Sequence, residues 1–280
     1  MNDEKPSLTA MMAAAARAAH LVVDEPPHIF TDHLAARLLG ERAGELLGYH
    51  RLHGGHLILS GTRAQVTSRS RHAEDRLRRS GLTQYVSLGA GLDTFAQRAA
   101  GGRIRVIEVD HPATQEWKRR LLADAGMAIP EFLTLAGVDF EKEDLTARLR
   151  AAGLDLSRPA FVSWLGVSMY LTAEAISATL AAFAAFAPGS ELVMEYALPA
   201  GARDEPGEEM AGYALPAAAE RGEPWLSFHT PEEITALLAG HGLRVAEHVR
   251  QADIPAVAAR TAPAPVSVDL CRLVVATPAG

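Results

Sequence analysis

The chain has 280 residues, 48% of them hydrophobic and 22% charged, and its 34 acidic residues against 27 basic ones give a formal net charge of −7. These proportions exclude wholesale disorder, and the length suits one large domain or a domain with an extension. A net acidic chain has no overall electrostatic pull toward nucleic acid or an anionic membrane, so neither is an expected partner.

The single cysteine, Cys271, excludes an intrachain disulfide and a multi-thiolate zinc site, and no metal is expected. That is compatible with a reducing, cytoplasmic setting. No apolar run is long enough to span a bilayer. The start, Met1-Asn2-Asp3-Glu4-Lys5 with a short Ala-rich stretch broken by Arg17, lacks the features of a secretory signal.

In chain order, residues 1–83 read as helical, with helices over Leu8 to His20, Asp32 to Leu39 and Arg63 to Ser80. An α/β core does not need so long a preface, so this segment is expected to form a cap or lid over residues 84–280. From residue 84 short β-like runs alternate with helices: Tyr85 to Leu88, Ile104 to Asp110, Phe132 to Val138, Ala160 to Leu165 and Glu191 to Tyr196. Such alternation predicts a mainly parallel sheet. Thr172 and Thr230 sit as N-caps before helices, with Pro231 at a first helical position. Arg244 to Val249 and Leu270 to Ala276 are the last strand candidates, joined through the Pro/Ala-rich connection Thr261 to Pro265. With no crossover helix expected between them, they should pair antiparallel.

Leu88-Gly89-Ala90-Gly91-Leu92-Asp93-Thr94 is the most informative stretch. A G-x-G turn after a buried strand lets the backbone approach a ligand closely, while the following helix offers free N–H groups. Asp110, nineteen residues beyond Gly91, ends the second strand and suits both hydroxyls of a ribose. Asp139 ends the third strand and suits an adenine amino group, with Phe140 beside the ring. The three positions mark the ligand crevice of a doubly wound sheet. No phosphate-cradling P-loop is present, which favours S-adenosylmethionine over a nucleoside triphosphate. Thr94, where a nicotinamide-binding loop has Gly or Ala, and the long N-terminal segment speak against an NAD(P)-dependent oxidoreductase.

With these residues in view, the chain resembles the leucine carboxyl methyltransferase superfamily, in particular its bacterial branch of S-adenosylmethionine-dependent methyltransferases. The resemblance runs from about residue 9 to residue 240. It is carried by Ile29-Phe30-Thr31-Asp32, Ser60-Gly61-Thr62-Arg63, Ser68-Arg69-Ser70-Arg71, the Gln84–Thr94 stretch, Glu108-Val109-Asp110-His111-Pro112, Val138-Asp139-Phe140-Glu141 and Trp164 to Leu171. It implies a class I methyltransferase (Rossmann-like) fold, whose seven-stranded sheet ends in an antiparallel strand. It also implies S-adenosyl-L-methionine as cofactor and S-adenosyl-L-homocysteine as product. Carried over, Gly89, with Gly91 in the same loop, would contact the methionine part, Asp110 the ribose, and Asp139 with Phe140 the adenine. Arg71 matches the arginine that pairs with the methionine carboxylate. One departure stands out: Leu165 occupies a position where the family often has glutamate. That absence is the sole support for a non-catalytic cofactor-binding protein.

A carboxylate acceptor needs a cation to orient it, and Arg63 is the candidate; a hydroxyl acceptor needs a base or a tuned pKa. His53, His56 and His229 are candidate bases, and Tyr170 and Tyr196 follow strands four and five near the crevice. Trp225 to His229 reads as a candidate apolar acceptor pocket. Arg76, Arg78 and Arg79 read as a solvated helix face. The expected activity is O-methylation of a carboxylate or hydroxyl on a small organic acceptor, of the secondary-metabolite kind the resemblance suggests. Acceptor identity and homo-oligomerisation stay open.

Overall fold

The computed structural model describes residues 7–99, 104–260 and 268–279; Met1 to Lys5 and the connection Thr261 to Pro265 lie outside the described residues. The N-terminal segment carries helices α1 (Leu8–Val23), α2 (Ala35–Leu38), α3 (Ala43–His53) and α4 (Leu57–Ser80). The core continues as β1 (Gln84–Leu88), α5 (Phe95–Arg98), β2 (Arg105–Asp110), α6 (Pro112–Asp124), β3 (Leu133–Gly137) and α7 (Leu145–Ala151). After these come β4 (Phe161–Trp164), α8 (Ala173–Ala184), β5 (Glu191–Ala197), α9 (Glu205–Glu220), α10 (Pro231–Gly240), β6 (Leu243–Val249), α11 (Pro255–Ala258) and β7 (Cys271–Pro278).

One seven-stranded sheet runs in the order β3-β2-β1-β4-β5-β7-β6. Its first five strands pair in parallel, and β7 lies antiparallel to both β5 and β6. The class I methyltransferase arrangement expected from the sequence is therefore present. β1 is buried at every position because helices cover both faces, which is why its sequence does not alternate. The chain leaves β1 toward β2 on one side and later returns to β4 on the other. That reversal opens a crevice at the carboxyl ends of β1 and β4. Between β6 and β7 a 3₁₀ turn at Gln251–Asp253 and the one-turn helix α11 intervene, too short to serve as a crossover.

The helix starts show how local chemistry sets boundaries. Thr172 accepts from the Ala175 N–H at 3.2 Å, and Thr230 with Glu233 forms a full capping box. Other boundaries differ from expectation. Helix α4 begins at Leu57, capped by His56, six residues before Arg63. Helix α3 was not anticipated. Asp32 is not helical: its Oδ1 accepts the N–H groups of Leu34 and Ala35 and the Thr94 hydroxyl, while Arg17 donates to Oδ2. One buried carboxylate thereby ties the N-terminal segment to the glycine loop. Burial opposes its ionisation, but the Arg17 and Arg98 charges hold its pKa below the usual carboxylate value. The acidic run Asp204 to Glu209 is the start of α9, where carboxylates complement the helix dipole. Arg76 is not solvated either: it donates to Glu191 of β5 at 2.7 Å and pairs with Glu247 of β6.

A wholly buried ion pair, Lys118 of α6 with Glu108 of β2, lies beneath the second strand. Among the described residues, no helix is long and apolar enough to cross a membrane.

Candidate active site

The glycine turn is shaped by packing as well as by backbone freedom. Gly89 has φ +69°, and the N–H groups of Gly89 and Ala90 both donate to the Val109 carbonyl of β2, at 2.7 and 3.0 Å. A Cβ on Gly89 would stand 2.1 Å from Cγ2 of Val167, closer than non-bonded carbons can sit. Gly91 has φ +49°, and a Cβ there would meet Cβ of Ala10 on α1 at 2.9 Å. The turn is thus gripped between the loop after β4 and the first helix.

Asp110 locks the same turn from below. Its two carboxylate oxygens accept the N–H groups of Gly91 and His111, each at 2.7 Å. Burial pushes its pKa up, and those two bonds pull it back. Each oxygen keeps a second lone pair for a ligand hydroxyl. At the next strand end, Asp139 accepts the Glu141 N–H at 3.0 Å and pairs with Lys142 at 3.1 Å. Burial works against ionisation there, but these bonds hold its pKa below the ordinary value.

These groups line one cavity of about 450 Å³. Gly89, Gly91, Asp110, Asp139, Phe140 and Tyr170 all face it. Tyr170 ends a 3₁₀ turn after β4 and packs edge-on to Trp225 at 5.9 Å. Burial pushes its phenol up to about 12, against hydrogen bonding with Trp225 and Thr9. Leu165 also lines the cavity and brings no polar atom.

Three expected site residues do not reach the cavity. Arg71 is not in its wall; it pairs with Asp75 at 2.6 Å on the outer side of α4. Arg69 lines the cavity instead. Two helical residues apart means roughly 200° around the axis, so Arg69 and Arg71 cannot both face inward. Arg69 is placed by Glu195 of β5, to which it donates at 2.6 Å, and by Gly166, where a Cβ would stand 2.6 Å from the guanidinium. Arg63 is buried elsewhere: it donates twice to Asp24 at 2.8 Å and to the Gly54 carbonyl at 2.9 Å. It is a strut between α4 and the end of α1, not a free cation. His229, its pKa lowered by burial, lies outside the cavity and docks to β5 through its N–H on the Ala197 carbonyl at 2.9 Å.

The remaining candidate bases are also committed elsewhere. His56 caps α4, His53 packs against Tyr49, and the Tyr196 hydroxyl bonds His248 at 3.0 Å in the core. The sequence reading missed Arg17 and Thr9 of α1 and Glu223 after α9, all in the cavity wall. No motif marks them, because they reach the site only through tertiary packing.

The sequence model of the family described as leucine carboxyl methyltransferase matches residues 10–184. The chain belongs to this family. YktD of Bacillus subtilis (strain 168), named as an S-adenosyl-L-methionine-dependent methyltransferase, is 34% identical over 283 aligned positions, which cover 91% of each chain. A Mycobacterium avium (strain 104) protein with the same kind of name is 34% identical over 225 positions, 72% of this chain and 68% of its own. In fold, the chain is similar to the crystal structure of a methyltransferase from Thermobifida fusca YX, with TM-score 0.61, 20% identity and coverage of 100% and 97%. A DUF574 protein from Streptomyces avermitilis superposes with TM-score 0.60 at 18% identity, covering 99% of both chains.

The residues of this leucine carboxyl methyltransferase family member fit S-adenosylmethionine. Gly89 leaves a cradle that a Cβ would fill, and Asp110 presents a carboxylate already oriented by two backbone bonds. Phe140 and Asp139 stand together in the wall at the β3 end, and Arg69 supplies a guanidinium for a carboxylate.

Proposed function

We propose that this methyltransferase uses S-adenosylmethionine to methylate a hydroxyl oxygen of a small organic acceptor. When bound, the cofactor supplies an electrophilic methyl group and leaves as S-adenosylhomocysteine. In this reading Asp110 holds the ribose, Asp139 and Phe140 receive the adenine, and Arg69 orients the methionine carboxylate. Tyr170 closes the acceptor side. The N-terminal 83 residues act as the lid over the 84–280 core, a role supported by α1 and α4 residues in the cavity wall. Enclosure aligns the reactants and excludes most water, the main demand of an in-line displacement.

The observation that carries hydroxyl over carboxylate is the state of the cations. Of the cations that line the cavity, Arg17 and Lys142 each meet a carboxylate, Asp32 at 2.9 Å and Asp139 at 3.1 Å, and Arg69, braced by Glu195 at 2.6 Å, is the one this reading assigns to the methionine carboxylate. Arg63, the expected anchor for an acceptor carboxylate, is committed to Asp24. A hydroxyl acceptor needs no such anchor. The tuned pKa a hydroxyl needs then comes from the acceptor itself, an acidic phenol whose proton passes to solvent at the rim beside Leu226, which is 54% exposed.

The test is transfer of labelled methyl to matched panels of phenols, alcohols and carboxylic acids. Base-stable label, as in an ether, is expected; base-labile label, as in a methyl ester, would overturn the hydroxyl assignment. Calorimetry with S-adenosylmethionine and NAD separates the cofactor classes, and tight NAD binding without S-adenosylmethionine binding would sink the methyltransferase reading. Asp110→Ala should weaken S-adenosylmethionine binding at least tenfold, about 1.4 kcal/mol. Unchanged affinity would remove Asp110 from the site.

A further inference from the structure

The cavity wall has an uneven charge balance. Glu74, Asp93, Asp110, Asp139, Glu141 and Glu223 are its carboxylates, against Arg17, Arg69 and Lys142 as its cations. Most of these acids are fully engaged. Glu74 takes Arg98 on both oxygens, Asp110 takes two backbone N–H groups, and Glu141 takes the N–H and hydroxyl of Thr172. Asp139 takes the Glu141 N–H and Lys142, and Asp93 caps the N–H groups of Thr94 and Phe95.

Glu223 shares with Asp93 a pattern in which one oxygen takes every hydrogen bond, and it differs from Asp93, which stands in the glycine loop, in position. It belongs to the segment after α9 that runs beside the β4 loop, where the Leu226 N–H donates to the Met169 carbonyl at 2.6 Å. This is the rim with Leu226 and with Tyr170, which follows β4, whereas Asp139 follows β3. Its Oε2 accepts both the N–H of Thr9, at 3.1 Å, and the Thr9 hydroxyl, at 2.5 Å. Its Oε1 accepts no hydrogen bond from a described residue. One oxygen is therefore pinned by α1, and the residue stands in the cavity wall with its other oxygen unbonded by any described residue. Trp225 stands edge-on to Tyr170, and Phe228 lies 6.2 Å from Trp225. Of these rings only Tyr170 is in the cavity wall, and Arg203 lies over the Phe228 ring at 5.6 Å, so an ammonium here would be held mainly by its ion pair with the anchored carboxylate, with Tyr170 beside it.

We propose that the acceptor carries a cationic amine in addition to its reacting hydroxyl, and that Glu223, held by Thr9, binds that amine. This rests on the methyltransferase reading of the same cavity. Glu223 is a specificity residue here, and it takes no part in the proton balance of the transfer.

The test uses the full-length protein saturated with S-adenosylhomocysteine and three probes sharing one phenol: tyramine, 4-ethylphenol and 4-hydroxyphenylacetate. Calorimetry should rank tyramine tightest, at least about fivefold over 4-ethylphenol, with 4-hydroxyphenylacetate weakest. Glu223→Gln should bring tyramine to the level of 4-ethylphenol while the affinity for S-adenosylhomocysteine stays unchanged. Thr9→Val, which unpins the carboxylate without removing it, should lose part of the preference. Absent tyramine binding, equal binding of the probes, preference for the anion, or a preference that survives Glu223→Gln would each overturn the proposal. Failure of S-adenosylhomocysteine itself to bind would instead strike the cofactor reading, and the proposal would fall with it.

Discussion

Gly89→Ala is expected to destabilise the protein by about 2–5 kcal/mol and to abolish cofactor binding. The new methyl would occupy a left-handed backbone position, which costs an L-residue roughly 1–2 kcal/mol. It would also stand 2.1 Å from Cγ2 of Val167, so the β4 loop or the turn must move. Forced repacking of that kind adds about 1–3 kcal/mol. Because Gly89 and Ala90 share the Val109 carbonyl and Gly91 bonds Asp110, displacement of the turn also disturbs the Asp110 carboxylate. Gly126→Ala is the comparison: it has φ +61°, but its Cβ would meet nothing within 4 Å. Thermal melts of both variants separate backbone strain from collision. Equal losses at the two positions would show that Val167 does not press on the turn.

Lys118→Met should cost about 3–5 kcal/mol at neutral pH, since it leaves Glu108 buried without its cation. Its effect should depend on pH in a definite direction. Burial pushes the Glu108 carboxyl up to about 7, and the Lys118 charge restrains that rise. In the unfolded chain the same carboxyl ionises near the ordinary carboxylate value. Between that value and about 7 the folded state therefore holds more protons, and this group's contribution to stability falls as pH rises. Without Lys118 the folded pKa climbs further, so the fall extends to higher pH. The deficit of Lys118→Met relative to the parent should grow between pH 5 and pH 8 in urea titrations. A deficit independent of pH would show that Glu108 is not the group left stranded. Adding Glu108→Leu to Lys118→Met should recover much of the loss, because an apolar pair of similar volume often replaces a buried ion pair without penalty.

Several parts of this molecule are legible in a one-dimensional reading because short-range physics writes them locally. The alternation of apolar runs and helices marks all seven strands of the sheet. Thr172 and Thr230 mark helix starts because the cap and its partner lie within three residues. Glycines at 89 and 91 announce positive φ, and Asp110 and Asp139 stand at strand ends where a doubly wound sheet opens its crevice. These residues do meet at one cavity.

Arginine is where the local reading fails. Six arginines lie between Arg63 and Arg79, and composition treats them alike. Helical phase and neighbours on other elements sort them. Arg69 faces the cavity against Glu195, Arg71 turns out to Asp75, Arg63 braces Asp24, and Arg76 reaches the sheet edge at Glu191. Each carboxylate partner outside α4 lies at least 39 positions away in sequence, so no spacing rule could name it.

The balance of −7 with an arginine-rich segment was present in the sequence, as were the class of fold and the acids at the strand ends. Periodicity, caps and glycines act over a few residues, and that is why they could be read. Which cations remain for a ligand was decided only in three dimensions, by long-range ion pairs that form as the first helices pack on the sheet. The same packing brings Thr9 to Glu223, 214 positions apart, and so fixes a carboxylate in the cavity wall.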